Sequence, residues 1–211
     1  MSDSLLRQAE HAALSAVTLH GSVVDLGGDR RAAYQHLIKG QFQLTVLNMD
    51  AKTQPDVFHD LEQPLPLESN SFDGVLLVNV LEHIYHDRQL LSESARVLKP
   101  GAIAVVVVPF LFPIHPSPSD FHRFTADTLE KMLVENGFSS VRVTPLGKGV
   151  WSARHLMINR LLPSPLRQIH AAVLGRLALA LDWMTVALAR ILGRKYNPQY
   201  YPLGYMAVVI K

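Results

Sequence analysis

Val23-Val24-Asp25-Leu26-Gly27-Gly28 is the stretch that decides the fold. Apolar residues surround one acid, and two glycines follow. The run reads as a short buried strand, and the glycines as a tight turn leaving it. On the upstream side, residues 4–15 suit a short amphipathic helix. Downstream, residues 30–39 suit a helix and residues 42–47 a second strand, while residues 51–70 hold three prolines and read as loop. Phe72-Asp73-Gly74-Val75-Leu76-Leu77-Val78 is a further strand. Across residues 85–98, Leu90, Leu91, Ala95 and Leu98 share a helical face, and Lys99-Pro100-Gly101 ends it. Residues 102–108 are nearly all apolar, as in a strand covered on both faces. Residues 125–135 form a helix capped by Thr125 and stopped by Asn136-Gly137. Residues 140–144 and 205–210 are strand-like.

Strands alternating with helices predict an α/β fold, a doubly wound and mostly parallel sheet. The last strand is expected beside residues 140–144, antiparallel. Residues 150–197 then form a helical insertion before it, within a single domain spanning residues 1–211. In such sheets ligands bind beyond the carboxyl ends of the strands. The polar sets at residues 25–29, 48–50, 79–83 and 109–115 all follow predicted strands, which marks them as candidate site residues.

Composition narrows the function. The chain has 211 residues, 48% hydrophobic and 18% charged, enough for a sizeable core. A formal net charge of +2 gives no reason to expect nucleic acid as a partner. There is no cysteine, which excludes thiolate nucleophiles and Cys-based metal sites. The N-terminus carries acids and no apolar core run, so it does not read as a signal peptide, and the chain is expected to be cytoplasmic. His115 and His122 straddle a proline-rich loop without ligand-like spacing, so no metal site is expected.

The segment Val23-Val24-Asp25-Leu26-Gly27-Gly28 resembles the glycine motif of class I S-adenosylmethionine-dependent methyltransferases, Rossmann-like proteins that include a bacterial type 11 group. The family pattern is acid-x-Gly-x-Gly-x-Gly. Gly27 matches its first glycine, whereas Asp29 and Arg31 stand at the other two. The resemblance implies Asp25, Gly27 and Gly28 as cofactor-binding residues. It places Asn48, Met49 and Asp50 at the ribose, with Asn48 where the family has an acid and Asp50 able to substitute. Asp60 and Leu61 match the adenine-binding stretch, and Asn79 would line the methionine end. Leu81-Glu82-His83 matches the start of the helix after the fourth strand of the family. Arg96-Val97-Leu98-Lys99-Pro100-Gly101 matches its turn before the fifth. Residues 109–125 resemble a bacterial subgroup, with Asp120 and Arg123 spaced to clasp each other. His83, His115 and His122 are the catalytic or acceptor-contact candidates.

The implied function is methyl transfer from S-adenosylmethionine to a small-molecule, glycan or lipid-precursor acceptor. The alternative is a degenerate methyltransferase fold that acts as a binding module. A nicotinamide oxidoreductase fits less well, because its fingerprint needs three glycines. The long helix predicted over residues 163–194 is apolar on most sides, which suits a core, a homodimer contact or a peripheral membrane contact. Its charges argue against a transmembrane span.

Overall fold

A computed structural model describes residues 4–211, the side chains of Arg160, Ser164, Pro165 and Ala172 excepted. Seven strands form one sheet: β1 (Gly21–Leu26), β2 (Phe42–Asn48), β3 (Val57–Phe58), β4 (Phe72–Val78), β5 (Leu98–Pro109), β6 (Ser139–Leu146) and β7 (Gly204–Ile210). Their order is β3-β2-β1-β4-β5-β7-β6. β1 to β5 pair in parallel, and β7 inserts antiparallel between β5 and β6.

Alternation along the strands distributes the core. Ala104, Val106 and Val108 of β5 join one cluster with Leu90 and Leu91 of α2 (Asp87–Val97) and Leu129 and Leu133 of α3 (Ala126–Glu135). Val105 and Val107 join the other, with Leu5, Leu6 and Leu14 of α1 (Leu5–Leu14) and Leu156 of α4 (Val150–Leu161). All five β5 side chains are fully buried, as the unbroken apolar run demands. Thr125 caps α3 by accepting from the Thr128 amide at 3.3 Å.

Two elements depart from the sequence reading. Residues 30–39 do not form an α-helix; only Ala33–His36 winds, as a 3-10 turn. The chain on either side is committed elsewhere. Lys39 bonds to the Val17 and Leu19 backbone, and the Gln35 amide reaches back to the Asp29 carbonyl. The loop over residues 51–70 contains β3, a two-residue edge strand on β2.

Between β6 and β7 the chain forms α4 and then α5 (Ser164–Ile191). α5 is joined to α4 by a buried carboxylate. Asp182 accepts from the Trp151 and Ser152 amides at 2.8 and 2.9 Å, so it caps α4 from a different helix. A Cβ at Gly149 would lie 2.6 Å from Asp182 Oδ1, which is why the turn before α4 is glycine. Contrary to expectation from its charges, Leu166–Ile191 is long and apolar enough, by length and composition alone, to cross a membrane.

Candidate active site

β2 and β3 lie to one side of β1, and β4 and β5 to the other, so the order of winding reverses between β1 and β4. A crevice opens there, beyond the carboxyl ends of the strands.

The crevice floor is the turn after β1. Gly27 has φ 80°, and a Cβ on it would lie 2.5 Å from Val80 Cγ2. Both the backbone angle and the close approach of the loop after β4 therefore require glycine. Asn48, at the end of β2, donates from Nδ2 to the carbonyls of Gly27 and Gly28 at 2.9 and 2.8 Å. Its Oδ1 accepts from the Asp50 amide at 2.9 Å. A carboxylate could not donate to those carbonyls, so the amide at this position serves the turn.

Asp25 is fully buried beneath the turn, with Tyr34 Oη and Gln35 Nε2 donating to its Oδ2 at 2.7 and 2.9 Å. Burial pushes its carboxyl up to about 6. Burial, and then the Asp25 carboxylate, also raise the Tyr34 hydroxyl. A Cβ on Gly28 would stand 2.3 Å from this carboxylate.

A cavity of about 310 Å³ fills the crevice, and its wall includes Gly27, Asn48, Met49, Asp60, Leu61 and Asn79. Asp25, Gly28 and Asp50 were expected to contact a ligand, but they lie outside that wall. The first two build the turn. Asp50 is exposed and caps a 3-10 turn through the Lys52 amide at 2.9 Å. Arg30 and Arg31 do not line the cavity either, since Arg30 pairs with Asp56 and Arg31 with Asp29.

The far wall comes from the loop after β4. Asn79 holds φ 54°, a left-handed conformation uncommon outside glycine. Leu81-Glu82-His83 forms one 3-10 turn rather than the start of a long helix. Glu62 fixes this loop by accepting from the amides of Tyr85 and His86 at 2.6 and 3.1 Å. Glu82 is fully buried. Among the described residues, neither of its oxygens has a hydrogen-bond partner, and Asn79 Oδ1 has none.

Two imidazoles face Glu82. His83 Nε2 lies 3.7 Å and His115 Nε2 3.6 Å from Glu82 Oε1. The other nitrogens are occupied: His83 Nδ1 meets the Ser119 carbonyl at 2.5 Å and His115 Nδ1 the Pro113 carbonyl at 3.1 Å. The expected Asp120–Arg123 clasp forms, and Asp120 Oδ2 also accepts from the His115 amide at 2.9 Å. Arg123, the largest cause, holds the Asp120 carboxyl far below the usual carboxylate range. Glu82 raises the His115 pKa.

A second cavity of about 250 Å³ adjoins the first, lined in part by Leu6, Arg7, Glu10, Phe112 and His115. Asn79, His83 and Ser117 belong to both walls. His122 reaches neither; its Nε2 lies 3.7 Å from Asp87. Sequence reading missed Glu10 and the role of Glu82. It also weighed His115 as a metal ligand only against His122, whereas the fold brings His115 to Glu82 and His83, all three ligand atoms within 4.8 Å of one another. The available signal was position: Glu82, His83 and His115 all follow neighbouring strands.

Comparisons with known proteins agree with this fold. Residues 32–106 match the family model described as a methyltransferase domain. A protein named anamorsin homolog 2, from Picea sitchensis, is 33% identical over 123 residues, 58% of this chain and 36% of that protein. A probable S-adenosylmethionine-dependent methyltransferase of Mycolicibacterium smegmatis is 30% identical over 103 residues, 46% of this chain and 40% of that protein. The chain thus spans under half the length of these curated relatives. A solved S-adenosylmethionine-dependent methyltransferase from Archaeoglobus fulgidus superposes with a TM-score of 0.59 at 17% identity, covering 97% of this chain and 94% of that one.

Proposed function

We propose that this chain, which has the class I S-adenosylmethionine-dependent methyltransferase fold and matches the methyltransferase domain over residues 32–106, is itself such a methyltransferase. The residues present fit the cofactor. Gly27 permits close approach, Asp60 offers a carboxylate to an adenine amino group, and Leu61 covers a ring face. Asn79 lines the end of the cavity where the ammonium and sulfonium would lie, and its Oδ1 is buried without a hydrogen-bond partner among the described residues. The cofactor, when bound, supplies an electrophilic methyl group on sulfur.

The observation that carries this reading is the shared wall. Asn79, His83 and Ser117 border both cavities, so a group held in one can be aligned with a nucleophile held in the other. In-line displacement needs that alignment above all. The smaller cavity sets Leu6 and Phe112 against Arg7, Glu10 and His115. It suits a small molecule, or the end of a glycan or lipid precursor, with an oxygen or nitrogen nucleophile. Calorimetric titration with S-adenosylhomocysteine tests the reading. Binding is expected, weakened roughly 10- to 100-fold by Asp60→Ala through loss of a charge-assisted hydrogen bond. No heat at millimolar ligand would leave a degenerate fold acting as a binding module.

We further propose that α5 rests on an anionic membrane surface. Its inner face is committed to α4 through Asp182, while Leu166, Val173, Leu177, Met184, Leu188 and Ile191 form an exposed apolar stripe at helical spacing. Residues 148–195 hold 8 of the 20 Lys and Arg but only 1 of the 18 Asp and Glu, so this stretch carries +7 and the rest of the chain −5. That charge disfavours a second copy of the same face and favours anionic lipid. Trp183 and Tyr200, 73% and 76% exposed, supply residue types common at lipid headgroups. Sedimentation with phosphatidylglycerol vesicles should carry the protein down at low salt, and Leu177→Glu with Leu188→Glu should abolish this. Dimerisation without vesicle binding would assign the stripe to a second copy.

A further inference from the structure

We infer that Glu82, His83 and His115 form a binding site for one divalent transition-metal cation at the junction of the two cavities.

The first observation is a buried carboxylate that no hydrogen bond satisfies. Glu82 is fully buried, yet neither of its oxygens has a hydrogen-bond partner among the described residues. A buried carboxylate without hydrogen bonds is strongly unfavourable, and the usual remedies are an ion pair, protonation or a metal. The two groups facing Glu82 Oε1, His115 Nε2 and His83 Nε2, stand at 3.6 and 3.7 Å. Those separations are too long for hydrogen bonds. They are close to what a shared cation requires: ligands about 2.0–2.1 Å from a tetrahedral metal lie roughly 3.3–3.4 Å from each other. The three ligand atoms lie within 4.8 Å of one another, and drawing in around a cation completes the site.

The second observation is the orientation of the imidazoles. A metal-bound histidine donates its other nitrogen to a carbonyl or carboxylate, which fixes the tautomer and leaves a lone pair for the metal. Both histidines are arranged in that way. His83 Nδ1 meets the Ser119 carbonyl at 2.5 Å; His115 Nδ1 meets the Pro113 carbonyl at 3.1 Å and lies 3.2 Å from Asp120. Asp120 is in turn held by Arg123. The rings stand edge to face, 5.0 Å between centroids, so their Nε2 atoms converge without stacking. Two imidazoles and one carboxylate suit zinc, iron, cobalt or manganese better than calcium or magnesium.

The third observation is where the remaining coordination positions point. His83 and His115 line the smaller cavity, together with Glu10, also buried and with no hydrogen-bond partner for Oε1 among the described residues. A cation on three protein ligands keeps positions for water or for an oxygen of an acceptor, such as a hydroxyl or carboxylate. The histidine lone pairs would then hold the cation, and neither histidine would serve as a free base.

The cation site stands whether or not the chain transfers methyl groups, because its test uses metal alone. Metal-stripped protein is titrated with Co²⁺, and visible absorption and the unfolding temperature are recorded. One equivalent should produce d–d bands and raise the unfolding temperature, and Zn²⁺ should displace it. His115→Ala and Glu82→Gln should each weaken Co²⁺ binding by more than about 100-fold. Asp120→Asn, which only orients His115, should weaken it less, by roughly 10- to 100-fold. Without metal, Glu82→Gln should unfold at or above the wild-type temperature, since it removes a buried carboxylate that no hydrogen bond satisfies, and far-ultraviolet circular dichroism confirms that each variant folds. Absence of Co²⁺ bands in the wild type, or bands that survive in folded Glu82→Gln and His115→Ala, would overturn the site.

Discussion

The two ends of the crevice are built on opposite principles. At the glycine-turn end, the polar groups of Asn48 are all used: its amide spans two carbonyls and its oxygen takes a backbone amide. Beneath that turn a single oxygen, Asp25 Oδ1, is buried without a hydrogen-bond partner among the described residues, whereas at the junction end Asn79 Oδ1, Glu10 Oε1 and both Glu82 oxygens are. Buried polar groups are nearly always paired, so the contrast separates scaffold from site. The first end holds its shape by itself. The second end holds polar groups in place for something that arrives.

The sharpest attack on the first end is Gly27→Ala. It adds a Cβ 2.5 Å from Val80 Cγ2 at φ 80°. Strain and overpacking together should lower stability by about 3–5 kcal/mol, measured by denaturant unfolding. Unchanged stability would mean that the turn is not the rigid floor described here.

Asp25 gives the next largest effect. Its folded pKa of about 6 lies above its ordinary value of 3.8. Between those values the folded protein holds a proton that the unfolded chain releases, so this group makes stability fall as pH rises from about 4 to 6 and contributes no slope above that. The span is worth about 3 kcal/mol. Asp25→Asn should flatten this part of the stability profile, while an unaltered slope would assign the titration elsewhere.

Asn48→Asp comes third. It replaces two donors with an acceptor facing the carbonyls of Gly27 and Gly28. The expected loss is about 2 kcal/mol, or a fall of roughly 4–8 °C in unfolding temperature by calorimetry. A neutral result would restore the ribose-binding role that the family pattern assigns to an acid here.

Sequence reading recovered what local patterning controls. The apolar runs of β1, β4 and β5 are strands because each alternation position meets a covered face. Thr125 marked a helix start by its own backbone chemistry, whereas Lys99-Pro100-Gly101, read as the turn that ends a helix at Leu98, lies inside β5, the helix having ended at Val97. Residues 30–39 misled because helix-compatible residues are recruited by tertiary bonds, Tyr34 and Gln35 to Asp25 and Lys39 to Val17. The role of Asn48 was hidden, since its partners are backbone carbonyls on another strand's loop. The convergence of His115 on Glu82 was equally hidden: it depends on β4 and β5 being neighbours with their ends in register. Spacing along the chain says nothing about that. The +7 charge of residues 148–195 was diluted by the −5 of the remainder, so the whole-chain value concealed it.

The most direct test of the crevice is a crystal structure soaked with S-adenosylhomocysteine. The adenine should lie against Asp60 and Leu61, and the sulfur should sit beside Asn79 and His83, facing the smaller cavity. An empty crevice, or a sulfur turned away from His83, would contradict the account.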